Sequence, residues 1–390
     1  MHRIYLTYIH MKTLLKTIFA LIIGMAVGLT LAVAGITLFT DQTLAGFFEK
    51  MRQADLAGMG LAVAVALVVF FVSVALLIVI HEAGHLVCGL ASGYKFVSFR
   101  VFNLTIIKSG GRLRVKRYAI AGTGGQCLLT PPDEPLEQIP TTLYNAGGVL
   151  ANIAVGLATL PLLWVDGGIY LHEAVLIFLL TDAFMILANG IPMQLGGVGN
   201  DAYNILLLRK NPAAKRAILL QLRSNALVQG GVRPMDMPDQ WFAVPDKVDY
   251  CNALEVSAPI MAASRLLDSM DYDGALAMFA DLYARRDKIM PLYVKEIACE
   301  LAFLMLIAGQ TAEAENLLDK DLRKYITAYS GVMSSKVRLT CAMTLHLDKD
   351  PARARQILAD LRRDKDKYLL QGEVKSDLAL MEAMFVPENA

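Results

Sequence analysis

His81 and His85 stand four residues apart with Glu82 beside the first, in the run His81-Glu82-Ala83-Gly84-His85. On a helix, positions i and i+4 share a face, so the two imidazoles can hold one metal ion between them. A neighbouring carboxylate can then take a proton from a water that the metal has acidified; zinc brings such a water to a pKa of about 7. Ala83 and Gly84 are small and leave room beside the pair. The same five residues could be a chance polar patch on a packed helix, but their surroundings speak against it. Leu56 to Ile80 has no charged residue, and the apolar character resumes after His85 as far as Gly93. Three ionisable groups within five residues of a lipid-spanning segment are costly without partners, and such residues are functional candidates by default.

Catalytic zinc takes three protein ligands and keeps one position open. The remaining histidines, His2, His10, His172 and His346, fall in tails, in a short outer loop or in a polar region. The third ligand is therefore expected to be a carboxylate, and two are placed for it. Asp201 follows Gly196-Gly197-Val198-Gly199-Asn200, a flexible stretch able to fold back toward the metal. Asp182 lies inside an apolar segment at a suitable depth, and reads equally as a supporting or packing carboxylate.

The elements that must position these groups are apolar spans. The 390 residues are 55% hydrophobic and 19% charged, with a mean hydropathy of +0.46. That balance points to a bilayer and to more than one domain. Net charge is +1, from 37 basic and 36 acidic residues, which leaves no global basic field for nucleic acid. About 20 apolar residues cross a bilayer, and four segments qualify: Thr17 to Phe39, Leu56 to Ile80 and beyond, Tyr144 to Val165, and Ala174 to Met193. Seven Lys and Arg residues lie between Ser92 and Thr142, and none between Asp166 and Glu173. The positive-inside rule then puts both termini on the cytoplasmic side. The His81 to His85 cluster would sit toward the cytoplasmic end of its span, about 15 Å of helix from Ser92. The five cysteines show no paired spacing and read as reduced thiols.

Between the second and third spans, Phe96 to Phe102, Leu104 to Ile107 and Arg112 to Lys116 carry the β-branched and alternating pattern of a basic β-hairpin at the membrane surface. A glycine-rich loop at Gly122 to Gly125 and a proline-rich one from Pro131 to Pro140 follow. Helix is expected from Tyr203 to Asn225 with a break at Pro212, then a Gly/Pro linker over residues 229–250. Beyond it, three similar helical segments begin at Tyr272, Thr311 and Pro351, with matched alanines at 275, 314 and 354. Small residues at such intervals let paired helices approach, as in helical-repeat arrays.

His81 to His85 in one span, Gly147-Gly148-Val149-Leu150-Ala151-Asn152 in the next, and Asn189-Gly190-Ile191-Pro192 before Asp201 together resemble the site-2 protease family of intramembrane zinc metalloproteases. The resemblance covers about residues 58–205. It implies that His81, His85 and Asp201 bind zinc, that Glu82 is the general base, and that Asn152 and Asn189 line the cleft and hold substrate backbone. The chain departs from the family pattern in two places. The aspartate comes nine positions after the proline rather than five, with Ala202 after it in place of glycine, and Val149 stands where a proline is usual.

The fold expected is mainly α: a polytopic membrane protein with about four transmembrane helices, a small membrane-associated β-hairpin or sheet, and a C-terminal soluble helical domain resembling tetratricopeptide repeats. The divisions are an anchor and loop at 1–57, a protease core at 58–205 with its β-hairpin region at 94–118, a helix and linker at 206–250, and the helical domain at 251–390. The function expected is zinc-dependent hydrolysis of peptide bonds in or near transmembrane segments, within a bacterial cell membrane. The partners are a membrane-bound peptide or protein substrate, lipid, and a protein or second copy at the helical region. A peptide bond in an intact helix is shielded, so the substrate must be extended, and the 96–116 hairpin is the candidate platform for strand addition. The alternative class is a non-proteolytic membrane scaffold, which has no need of Glu82; a metal transporter would carry more ionisable groups along a path.

Overall fold

The computed structural model describes residues 56–109, 112–117 and 124–386. The expected span at Thr17 to Phe39 lies outside them. Helix accounts for 68% of the structure, in thirteen α-helices among the described residues, with a small antiparallel sheet. The first long helix is α1 (Leu56–Ala91). The chain divides within it into two compact units, and the second, Val69–Ala390, carries the remaining elements.

Among the described residues, three helices are long and apolar enough to cross a membrane: Val63–Ala91 within α1, Thr142–Trp164, and Tyr170–Gly190. The second is α2 (Thr142–Thr159) continued by a 3-10 turn at Leu160–Trp164, and the third belongs to α3 (Gly168–Gly190). They match three of the four expected spans. Their large side chains are bare in the folded chain: Phe71, Leu157, Leu180 and Phe184 are all more than half exposed. Apolar surface on that scale demands lipid or a partner, and its continuity along three helices of this length fits a membrane.

The sheet lies between α1 and α2 in sequence. It comprises β1 (Lys95–Val101), β2 (Leu104–Ser109), β3 (Arg112–Arg117) and β4 (Gly125–Thr130), in the spatial order β3-β2-β1-β4. The expected hairpin is therefore a three-stranded meander, and the segment beginning at Gly125 adds a fourth strand against β1. Leu129 and Ile139 pack on Leu219 and Leu222 of α5 (Pro212–Gln229). Each such fully buried leucine contributes about 1.5–3 kcal/mol. The Gln229 side chain also donates to the Val97 carbonyl at 3.1 Å.

After α3 comes a miniature hairpin, β5 (Gln194–Leu195) and β6 (Val198–Gly199), then α4 (Asp201–Lys210). The expected break stands at Asn211, whose side chain caps α5 ahead of Pro212. The C-terminal helices are α6 (Ala253–Asp268), α7 (Tyr272–Ala284), α8 (Pro291–Ile307), α9 (Thr311–Leu317), α10 (Lys320–Tyr329), α11 (Ser334–His346), α12 (Pro351–Asp364) and α13 (Gln371–Ala383). They pack as successive pairs, α6 with α7, α8 with α9, and α11 with α12. Ala275, Ala314 and Ala354 are each completely buried, on the second helix of each pair. The helix α5 touches the sheet on one side and α6 and α13 on the other, so it joins the two layers.

Candidate metal centre

His81 and His85 lie on one face of α1, with their Nε2 atoms 3.2 Å apart. Their Nδ1 atoms are both engaged. That of His81 meets Asn152 Oδ1 at 2.7 Å, and that of His85 meets the Tyr144 carbonyl at 2.8 Å. Both acceptors need a proton on Nδ1, which in a neutral imidazole leaves the lone pair on Nε2. Asp201 Oδ2 completes the group, 3.1 Å from His81 Nε2 and 3.4 Å from His85 Nε2. The three side chains are only 9%, 12% and 17% exposed.

Three electron-rich atoms thus converge where water is scarce. Asp201 Oδ2 is buried with no hydrogen-bond donor. A single proton on one Nε2 would join two of the three atoms; a cation at their centre joins all three. A tetrahedral ion with bonds of about 2.0–2.1 Å has ligand-to-ligand edges of about 3.3–3.4 Å, close to the separations seen. The residues fit a metal ion, and this is the one such group found among the described residues. Burial pushes the Asp201 carboxyl upward, but a proton on a facing Nε2 outweighs that push and holds it below the usual carboxylate range. A cation in place of that proton favours the same ionised carboxylate, the form in which a ligand binds.

Close backbone approach makes room for the centre. Gly84 of α1 and Gly147 of α2 meet backbone to backbone, where a Cβ on either would collide with the other's carbonyl. Small residues allow this in apolar surroundings. A Cβ at Gly148 would stand 2.5 Å from His81 Nε2 and 2.6 Å from His85 Nε2. The glycine pair read as a motif in the sequence is thus the floor of the centre.

Asp201 arrives through the miniature hairpin. Gly196 and Gly197 turn it with φ of 60° and 89°, the two positive values of a type I′ turn. This two-residue hairpin occupies the extra chain between Pro192 and Asp201. Asn200 then fixes the landing. Its side chain donates to the Ala188 and Ile191 carbonyls at 2.7 and 2.6 Å, and accepts from the backbone of Met193 and Tyr203 at 3.2 and 3.0 Å. The last of these caps α4, whose N-terminus favours the Asp201 carboxylate in its first turn.

The other expected site residues fall as follows. Asn152 is fully buried; besides holding His81 it donates to Asp182 Oδ1 at 2.7 Å. Asp182 is thus one residue removed from the cluster, in the supporting role that its sequence position also allowed. Asn189 is half-buried and donates to the Met185 carbonyl of its own helix at 3.1 Å. Glu82 faces β4: a Cβ at Gly125 would stand 2.5 Å from its Oε1, and the Cys127 backbone amide bonds its carboxylate. All five cysteines are free.

Sequence reasoning did not find Asn200, the Tyr144 carbonyl or β4. An Asn directly before an acidic first turn is a capping signal that marks Asn200. A backbone acceptor such as that of Tyr144 leaves no mark in a sequence. No protein-family model, curated protein or solved structure matches the chain.

Proposed function

We propose that this chain is an intramembrane zinc metalloprotease of the site-2 protease type, cutting membrane-bound polypeptides in or near their transmembrane segments. The observation that carries the reading is the buried convergence of His81, His85 and Asp201 with Glu82 next to it, on helices long and apolar enough to span a membrane. Bound zinc would supply Lewis acidity toward a carbonyl and toward water. The chain's own residues do the rest. Asn152 and the Tyr144 carbonyl fix the tautomer and orientation of the two imidazoles, and Asp182 in turn fixes Asn152. Glu82 takes the proton of the attacking water and passes it to the leaving amine.

The strand bordering Glu82 is β4, whereas the outer strand of the 95–117 meander is β3, at the opposite edge of the sheet. Lys116 of β3 donates to the Asp366 and Tyr368 carbonyls of the helical region at 2.8 and 2.7 Å. The platform for an extended substrate therefore moves to β4. Its outward Cys127 carbonyl accepts from the Tyr144 hydroxyl at 2.7 Å, and its Cys127 amide is held by Glu82. A substrate strand entering there exchanges these bonds for its own. Asn189, with its carbonyl oxygen free of hydrogen bonds, remains the side chain for substrate backbone. The helical pairs would act as a short tetratricopeptide-like array for a partner, with both termini on the cytoplasmic face.

Two variants test this. Purified protein in micelles with zinc should cleave a transmembrane peptide, and Glu82→Gln should bind zinc but cut at least about a hundredfold more slowly. Equal rates for the two proteins refute the enzyme and leave the scaffold. Zinc should be lost in Asp201→Ala and kept in Asp182→Asn; the reverse pattern overturns the ligand assignment.

A further inference from the structure

A cavity of about 260 Å³ lies inside the helical region, bounded by α5, α6, α8, α11 and α13. At about 10–15 Å³ of such space per water, it has room for a side chain or small molecule. One wall is apolar, with Phe242, Ile260, Leu267 and Phe279. The opposite wall is charged, and its charges do not balance. Glu296 and Glu300 of α8, and Glu373 and Asp377 of α13, give four carboxylates; Arg338 stands among them, with the fully buried Lys336 behind. Lys336 is paired with Glu296 at 2.7 Å, and Arg338 with Glu300 and with Asp377 at 3.1 Å. Two carboxylates are left in excess.

Among the polar groups facing this space, Glu373 and Ser376 lie side by side on α13 with no hydrogen bond to the described residues. Glu373 takes part in no hydrogen bond or ion pair, and the hydroxyl of Ser376, one turn on, is unbonded although the residue is only 8% exposed. The cavity is half open, so solvent still reaches these unpaired atoms, and a ligand entering it finds their hydrogen bonds unclaimed by the protein. The carboxylates do not converge as a metal site, for the one metal-like group among the described residues is His81, His85 and Asp201.

We propose that this cavity binds a primary ammonium group carried on a hydrocarbon stem. The ammonium has three donors for Glu373, Ser376 and a neighbouring carboxylate, and the stem lies on the apolar wall. A lysine side chain of a polypeptide and a free alkylamine share that chemistry. The site is independent of the metal centre and of the protease reading.

The charged groups facing Glu373 are Glu296 and Glu300 of α8, Lys336 and Arg338 of α11, and Asp377 on its own helix; α5 and α6 present only Ser224, Asn225 and Ser264 as polar lining. Burial, then Asp377, Glu296 and Glu300, push the Glu373 carboxyl up to about 8. At pH 7.5 it is about three-quarters protonated when the cavity is empty, and an ammonium beside it expels that proton.

The test is calorimetric titration of the full chain in micelles at pH 7.5. The probes are n-pentylamine and acetyl-Gly-Lys-Gly amide, with pentanol and the norleucine tripeptide as neutral counterparts. At least one amine should bind below millimolar, tenfold or more tighter than its counterpart. Buffers of different ionisation heat should show the release of a fraction of a proton. Glu373→Gln, which keeps the shape, should weaken binding at least tenfold and abolish the release; Ser376→Ala should weaken it severalfold. Tighter binding of the tripeptide identifies a polypeptide lysine, and of pentylamine a free amine. Equal affinity for amine and counterpart, unchanged binding by Glu373→Gln, or no binding by any probe overturns the proposal.

Discussion

Asn152→Leu is the most informative single change at the candidate metal centre. Asn152 is fully buried and links two helices, accepting a hydrogen bond from His81 Nδ1 at 2.7 Å and donating one to Asp182 Oδ1 at 2.7 Å. Leucine has similar volume and neither group. Losing the orienting acceptor of a metal-bound histidine lowers affinity by about 10- to 100-fold, or about 1.4–2.7 kcal/mol. The metal-free fold loses separately. His81 Nδ1 and Asp182 Oδ1 are both left buried and unpaired, at about 1–3 kcal/mol each. Asp182→Asn keeps an oxygen to accept from Asn152, so it should leave zinc affinity within about threefold of wild type. The double variant Asn152→Leu/Asp182→Leu removes one orphan and should recover stability relative to Asn152→Leu, without recovering affinity. Zinc affinity is read by competition with a chromophoric chelator, and folding by circular dichroism and thermal unfolding in the same micelles. A folded Asn152→Leu protein that binds zinc within twofold of wild type refutes the relay.

Gly148→Ala places a methyl group 2.5–2.6 Å from both Nε2 atoms, so zinc binding should be abolished at nearly unchanged helical content, as chelator competition and circular dichroism would show. Asn200→Ala removes the cap of α4 and both anchors to the end of α3. It should cost at least about 1 kcal/mol of stability and lower zinc affinity more than tenfold, because Asp201 is the next residue. Glu373→Gln acts through pH. The folded-state carboxyl is raised from 4.5 to about 8, so the folded state holds a proton that the unfolded chain has released. Wild type therefore loses about 1.4 kcal/mol per pH unit between those values, about 5 kcal/mol in all, and Gln loses none. Thermal unfolding from pH 5 to 9, without amines, should show the variant gaining over wild type as pH rises; parallel curves contradict this.

What was legible in the sequence was what periodicity and spacing carry. The i, i+4 histidines, three of the four apolar spans and the matched alanines at 275, 314 and 354 are local patterns that fall where expected, the span at Thr17 to Phe39 lying outside the described residues. The strand β4 was hidden because Gly125-Gln126-Cys127 follows a glycine run and has too little alternation to stand out. It forms because Gln126 pairs with Arg100 and Leu128 with Ser98 of β1, a choice made by the neighbouring strand. The charges of the helical region were unreadable for the same reason: nothing in the sequence around Lys336 or Glu373 marks them as interior.

The Pro192 to Asp201 interval shows how a departure in sequence becomes intelligible in space. Counted along the chain, nine residues carry the aspartate away from its expected place. The type I′ turn at Gly196-Gly197 folds Gln194 onto Gly199 and Leu195 onto Val198, so those residues add almost no displacement. Asn200 returns by its backbone amide to the Met193 carbonyl at 3.1 Å, directly after Pro192. The aspartate thus starts α4 as if the hairpin had been spliced out, and α4 packs on α2, the helix that carries Gly148 and Asn152. What the centre requires is the separation between Met193 and Asp201 in space, and a closed hairpin leaves that separation nearly independent of its own length. The same reasoning explains why Asn200, which holds both ends of the loop, matters more to Asp201 than any residue at the hairpin's tip.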